Sequence, residues 1–364
     1  MSVEYKIVNS RLSRFTKSCK GFSWALQKMF VLFFTTSLLV SCEWVEDDNS
    51  MCKVGTWLRF EYTHNLLDVD AISNQVEDLS VFVFNANDDR YFTTIKIDSV
   101  FLHENENKLK LDLPAGTYKV LVWGGLTKEN YFFDKELTTG KTTLNEVKLR
   151  LNNRANDTTA YVSQKLNALY YAYAENITVI ENPEATVSYE EYRISLTKNT
   201  NNMAFLLQCD KTEQTLKQED FKVVISSNNG TYDYLNNAVP DSVPLLYAPF
   251  EQKIIEIEDL AQVSHPTKAL QANLNTMRLF ADSKDRLEIT YIPTGNKIIN
   301  IPLAPYLLFG GNQYISAGMT KQEYLDRQDL YTLVFYIKYE KKGFVCYKIA
   351  VNSWIVRLDD SVVL

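Results

Sequence analysis

The chain has 364 residues, a length that suits two domains better than one. Hydrophobic residues make up 46% and aromatic residues 13%, with 22 Tyr and 19 Phe against 12 Gly and 9 Pro, which excludes a disordered or fibrous chain. The formal charge is −7; residues 1–41 hold six basic side chains and one acid, so the remainder carries 32 basic against 44 acidic groups (−12), an acidic body that argues against a nucleic-acid partner.

In chain order, the first feature is the apolar run Met29 to Val40, 12 residues without a charge. It is shorter than the roughly 20 residues a spanning helix needs, and it fits the apolar region of a signal peptide with basic residues ahead of it. The stretch before that region is long, so translation starts either at Met1 with an extended leader or downstream near Met29. Leu39-Val40-Ser41-Cys42 resembles the lipobox of bacterial lipoproteins. That resemblance implies that the Cys42 thiol takes a diacylglycerol and that the leader is cut before it. One acyl chain holds a protein to a membrane only marginally, so stable anchoring needs more than one. The acids Glu43, Glu46, Asp47 and Asp48 follow at once. They serve as a solvated tether, and they also resemble the acidic signal that exports lipoproteins to the surface of some anaerobic Gram-negative bacteria. Residues 1–41 are therefore expected to be a lipoprotein signal peptide and 42–52 an acidic lipidated tether.

From Lys53 onward the pattern is strand. "LSVFVF" (79–84) is a short apolar run, and the turn residues 85–90 that follow predict a hairpin. "KLKLDL" (108–113) and "TYKVLVW" (117–123) alternate around a Pro-Ala-Gly turn and predict a second hairpin. "NEVKLRL" (145–151) and "NITVI" (176–180) read as further strands. A polar stretch around residues 181–191 marks the expected domain boundary, giving an N-terminal sandwich over 53–190 and a C-terminal one over 191–364. "NMAFLLQ" (202–208), "FKVVISS" (221–227), "RLEITYI" (286–292), "YTLVFYIKY" (331–339) and "GFVCYKIAV" (343–351) belong to the second series, with a hairpin expected at Asn228-Asn229-Gly230. Thr320-Lys-Gln-Glu323 predicts a capping box at the start of a two-turn helix. Two series of short strands predict an all-β chain of two tandem β-sandwiches.

A search for chemistry finds no catalytic constellation. His64, His103 and His265 are scattered, and there is no nucleophile elbow, phosphate loop or Cys-x-x-Cys pair. No cofactor is expected. Besides Cys42, Cys19 leaves with the leader, and Cys209 and Cys346 sit in strand-like runs as small core residues. Asp326, Arg327 and Asp329 lie close together, but an exposed helix end with local ion pairs is the plainer reading than a catalytic carboxylate pair. Tyr170, Tyr171 and Tyr173 are better read as packing groups than as sugar platforms.

The stretch "LLFGGNQYISAGMTKQEYLDRQDLYTLVFYI" (307–337) resembles the fimbrillin anchor-subunit (FimB-type) family of type V pili. Its "KQEYLDRQD" core, the terminal "VNSWIV" (351–356), "LPAGTYKVLVWGG" (113–125) and the lipobox carry that resemblance. It implies two transthyretin-like β-sandwich domains, fimbrial stalk subunits as partners, and a place at the base of a fimbria in the outer membrane, facing outward. In that family stalk subunits polymerise by strand exchange, and the anchor, held by its lipid, ends growth and limits fimbrial length. The terminal segment then either pairs with the fimbria, with Trp354, Val356 and Leu358 as plugs, or closes its own sheet.

Four triplets, at Ser99, Thr158, Ser242 and Ser361, each preceded by Asp, resemble O-glycosylation acceptors of the same bacterial group. Two other functions stay open: a fimbrial accessory or tip adhesin, and a surface glycan-binding lipoprotein. The second would present exposed tryptophans, whereas Trp57, Trp123 and Trp354 all sit in strand-like runs.

Overall fold

The structure, a computed structural model, describes residues 54–155, 159–180, 189–209, 216–257, 267–340, 343–352 and 354–357. The expected leader and tether lie outside them. The chain opens with β1 (Gly55–Glu61), α1 (Ile72–Gln75), β2 (Asp78–Asn85), β3 (Tyr91–Asp98), α2 (Ser99–Glu104), β4 (Lys108–Lys110) and β5 (Gly116–Gly124). Short strands β6 (Tyr131–Phe133), β7 (Leu149–Leu151), β8 (Arg154–Ala155) and β9 (Ala160–Val162) follow, then β10 (Tyr170–Val179), β11 (Tyr189–Ser195) and β12 (Thr197–Lys198). The next strands are β13 (Thr200–Cys209), β14 (Phe221–Ser227), β15 (Thr231–Tyr232), β16 (Leu245–Tyr247), β17 (Glu251–Ile257), β18 (Thr267–Met277), β19 (Arg286–Tyr291) and β20 (Asn296–Pro302). Helices α3 (Leu303–Phe309), α4 (Asn312–Ser316) and α5 (Lys321–Arg327) lead into β21 (Leu330–Glu340), β22 (Gly343–Val351) and β23 (Trp354–Arg357).

These strands form two cores that share a sheet. The first core lies between the sheet β11-β1-β4 and the sheet β12-β10-β5-β2-β3, with Leu58, Phe60, Leu109 and Ile194 on one side and Val81, Val83, Val120 and Val122 on the other. The second core joins the sheets β17-β18-β13-β21-β22-β23 and β20-β19-β14-β16-β9-β8, through Phe205, Leu333 and Phe335 and through Ile225, Leu287 and Ile299. Phe82, Phe84, Leu121 and Trp123 belong to this second core, so β2 and β5 are covered on both faces. That is why residues 81–84 read as an unbroken apolar run rather than an alternation.

The cut expected near residue 190 does not follow these sheets. Strands β6 to β9 sit with the second core, where Tyr131, Leu149, Leu151 and Val162 are buried, whereas β11 pairs in parallel with β1 across Gly55–Glu61. The chain therefore visits the second core, returns to the first, and leaves again. Two expected hairpins are also different. β4 pairs with β1 while β5 pairs with β2 and β10, so the Pro-Ala-Gly turn carries the chain from one sheet to the other. Likewise β14 pairs with β16 and β19, and β15 pairs with β7. The hairpin of β2 and β3 forms as expected. After β5, Gly125 holds φ +75°, and a Cβ there would stand 1.9 Å from the Ala168 carbonyl oxygen. Only glycine fits that crossing.

Helix α5 fastens the two cores together. Thr320 Oγ1 caps it, accepting from Glu323 N at 3.1 Å, while the Glu323 carboxylate accepts from Arg327 Nε at 3.1 Å instead of reaching back to the cap. Asp326 is 9% exposed and receives the Arg278 guanidinium in a two-pronged pair, Nε at 2.7 Å and Nη2 at 2.8 Å. Gln322 donates to the same carboxylate at 2.9 Å and to the Leu279 carbonyl at 3.0 Å, and Arg278 Nη1 donates to the Asn236 carbonyl at 3.0 Å. One residue on, Arg327 Nη1 reaches the Asn65 carbonyl and the Asp68 carboxylate, each at 3.2 Å, in the loop after β1. Lys198 of β12 pairs with Asp329. The expected exposed helix end is thus a buried, long-range ionic joint. Removing one partner of such a pair strands the other charge, which costs about 3–5 kcal/mol, whereas an exposed pair contributes about 1 kcal/mol or less. Urea denaturation of Asp326→Ala is accordingly expected to show a loss of about 3–5 kcal/mol, and Arg327→Ala, whose partner Asp68 is exposed, a loss of about 1 kcal/mol. Equal losses in the two variants would contradict this account of the joint.

Candidate functional site

The C-terminal stretch 307–337 builds a crossover from one six-stranded sheet to the other. After β20, helix α3 buries Leu303, Ala304 and Leu307 in the second core. The chain then turns through Gly310 and Gly311. A Cβ at Gly311 would lie 2.6–2.7 Å from the Tyr324 ring, so that ring rests directly on the backbone of the turn. Tyr314 stacks near the same ring at 6.0 Å with planes 24° apart. Burial pushes the Tyr324 hydroxyl up to about 12, so it stays neutral at physiological pH. The glycine pair and the tyrosine of α5 are thereby one packing unit, and α5 is held where Asp326 meets Arg278.

That unit feeds β21 into the middle of a sheet. β21 runs parallel to β13 from Asn202 to Cys209 and antiparallel to β22. Among the described residues β23 is the outermost strand on that side, its backbone pairing Trp354 with Val351 and Val356 with Ile349. The opposite edge is β17, "EQKIIEI", which carries Glu251, Lys253 and Glu256 along its length. Charge spaced along an edge discourages the addition of another strand. The edge at β23 is the candidate functional site: among the described residues it ends a sheet in which β22 separates it from β21, the strand that follows the joint.

The residues singled out from the sequence fall in separate places. Cys42, Thr158, Leu358 and Ser361 lie outside the described residues. Trp354 and Val356 sit two apart on β23. Ser99 is exposed at the first turn of α2, whose cap is the Asp98 side chain accepting from Phe101 N at 2.8 Å. Ser242 is exposed beside Asp241, which takes Arg150 at 2.7 Å and Thr231 at 2.9 Å. The tyrosines of β10 pack: Tyr170 donates to the Gln75 carbonyl at 3.1 Å, Tyr171 to the Tyr234 carbonyl at 2.9 Å, and Tyr173 meets the Tyr234 ring at 5.6 Å. Asp326 and Asp329 are both engaged with cations, not poised as a reacting pair. Cys209 and Cys346 are buried, and burial pushes the Cys346 thiol up to about 12. Among the described residues, no three His, Cys, Asp or Glu side chains are grouped to hold a metal. Sequence reasoning missed Arg278 and Lys198, which stand 48 and 131 residues from their partners and carry no local signal.

Comparison with known proteins now adds to this geometry. The family model described as fimbrillin-A associated anchor proteins Mfa1 and Mfa2 matches residues 47–360. A crystal structure from Bacteroides thetaiotaomicron, described as a putative polysaccharide binding protein, is 25% identical with TM-score 0.69, covering 85% of this chain and 99% of that one. A putative adhesin from the same organism is 24% identical with TM-score 0.68 over the same shares. The fimbrial anchor protein Mfa2 from Porphyromonas gingivalis is 18% identical with TM-score 0.60, covering 83% of this chain and 98% of that one, and shares the fold. Comparison with curated proteins finds no match. With the family model spanning nearly all of the chain beyond the candidate tether, the protein belongs to the family of fimbrillin-A associated anchor proteins.

Proposed function

We propose that the protein is the lipid-anchored base subunit of a type V fimbria, fixing the fimbria to the outer membrane and limiting its length. The observation that carries this reading is positional: the family match begins at residue 47, five residues after the lipobox cysteine, so the acidic tether leads straight from lipid to the anchor-family fold. Several acyl chains on Cys42 hold the subunit far more firmly than one. At the other end, the β23 edge meets the stalk by main-chain pairing, which gives affinity, while alternate side chains such as Trp354 and Val356 give specificity. A subunit fixed in the membrane offers no free second end, so growth stops where it joins. The stalk is accordingly a protein partner, and neither nucleic acid nor a cofactor takes part.

Electron microscopy of Cys42→Ala cells and their medium, with the protein followed by blot, is expected to show the protein and long fimbriae released together. Protein released from cells that keep normal attached fimbriae would make it a surface lipoprotein of another kind. Deletion of residues 353–364 is expected to shed fimbriae while the protein stays in the membrane, and intact attachment would remove the role given to Trp354, Val356 and Leu358. Peptide mass mapping of protein from its native host is expected to find glycan on the exposed acceptors Ser99 and Ser242, and all four acceptors bare would end that proposal.

A further inference from the structure

The small sheet β11-β1-β4 packs on the first core through one face. Leu58, Phe60, Leu109 and Ile194 turn inward to that core, and with a side-chain period of two the residues between them turn outward. On the outer face the Trp57 and Tyr189 rings meet at 6.4 Å. Lys108 Nζ stands 6.0 Å from the same tyrosine ring and 2.7 Å from the Glu191 carboxylate, which Arg59 approaches to 3.8 Å. The strand register adds Arg193 opposite Arg59 and Lys110 opposite Trp57. Four cations therefore share this face with two carboxylates, Glu61 and Glu191, while Asp112 meets Lys110 at 3.5 Å on the rim. On a chain that carries −12 beyond residue 41, this face holds more positive than negative charge. Tyr189 is 40% exposed, and the Arg59 and Lys110 side chains 43% and 41%, so a ring and two cations reach solvent together.

Position says what such a face meets. Twelve residues separate Cys42 from Val54, the residue before β1. An extended chain covers at most about 3.3–3.6 Å per residue, so β1 starts within about 43 Å of any acyl group on Cys42. The sheet of β2 and β5 has the first core on one side and the second on the other, which leaves β11-β1-β4 as the layer on the far side from the second core. Trp and Tyr settle at the level of lipid headgroups, and Lys and Arg are drawn to anionic ones. The ion pairs on the face are partly exposed, so they hold weakly and phosphates can replace the carboxylates.

We infer that the outer face of β11-β1-β4 seats on anionic lipid headgroups, with Arg59, Lys110 and Arg193 against the phosphates and the Trp57–Tyr189 pair among the headgroups. The inference rests on the lipid at Cys42, which brings this face to the membrane. The contact then sets the angle at which the subunit stands and holds the second core away from the surface.

Acylation by a membrane-impermeant lysine reagent tests it. The native lipidated protein is inserted from outside into preformed vesicles of phosphatidylcholine, alone or with about 30% phosphatidylglycerol, and each lysine is read by mass spectrometry. Lys110 is the reporter, and Lys222, exposed on β14 in the second core, is the control. A face seated about two thirds of the time leaves Lys110 free for the remaining third, so its acylation is expected to slow about threefold in the anionic vesicles, with Lys222 unchanged. Salt at about 0.5 M shortens the Debye length to a few ångströms and is expected to abolish the difference. Arg59→Ser combined with Arg193→Ser is expected to do the same while the protein stays on the vesicles. Equal Lys110 rates in the two lipids would overturn the inference: fast in both means an open face, and slow in both means a face covered by the acidic tether or a second copy. So would protection that neither salt nor the double variant reduces. In each of these cases the protein still floats with the vesicles and the anchor reading stands, whereas protein that floats with neither would remove both.

Discussion

The pairing of Arg278 with Asp326 is the constraint on which the rest of the molecule depends. Two parallel N–H···O bonds fix the angle between α5 and the end of β18, which no single contact would do. Gln322 and the Asn236 carbonyl complete the set, so neither charge is left bare in the interior. The helix so placed then offers Arg327 to the loop after β1 and positions Asp329 for Lys198. One short helix thus joins a strand end in the second core to two places in the first. The shared sheet of β2 and β5 and the contacts of β10 with Tyr234 make the other described links between the two cores.

The joint also connects fold to proposed role. β21 begins three residues after α5 ends and lies between β13 and β22, so the same ionic contacts hold the point where that strand enters the sheet. A partner strand adding at an edge reads alternate side chains, and a slip of one residue would present the wrong set. The charged strand β17 forms the opposite edge of that sheet, where Glu251, Lys253 and Glu256 discourage the addition of another strand.

Much of the fold was legible in the sequence, for reasons that are local. Alternation of period two marks β21 because one of its faces is buried. Thr320 announces α5 because a cap acts over three residues. What stayed hidden depends on partners far away in the chain. β6 to β9 span two or three residues each, too few for any period to say which core they enter. A Pro-Ala-Gly turn serves a hairpin and a crossing between sheets equally well, so the corner before β5 read as a hairpin. Asp326, Arg327 and Asp329 look like a solvated cluster until Arg278, Asn65 and Lys198 are brought beside them.

The central claim is that the protein meets the fimbrial stalk at the β23 edge. Site-specific photo-crosslinking in fimbriated cells tests it most directly, with the reactive group placed at Ile355 on β23 and, as a control, at Lys253 on β17. An adduct with the stalk subunit from Ile355 and none from Lys253 is the result this account predicts. An adduct from Lys253, or none from Ile355 while fimbriae remain attached, would contradict it.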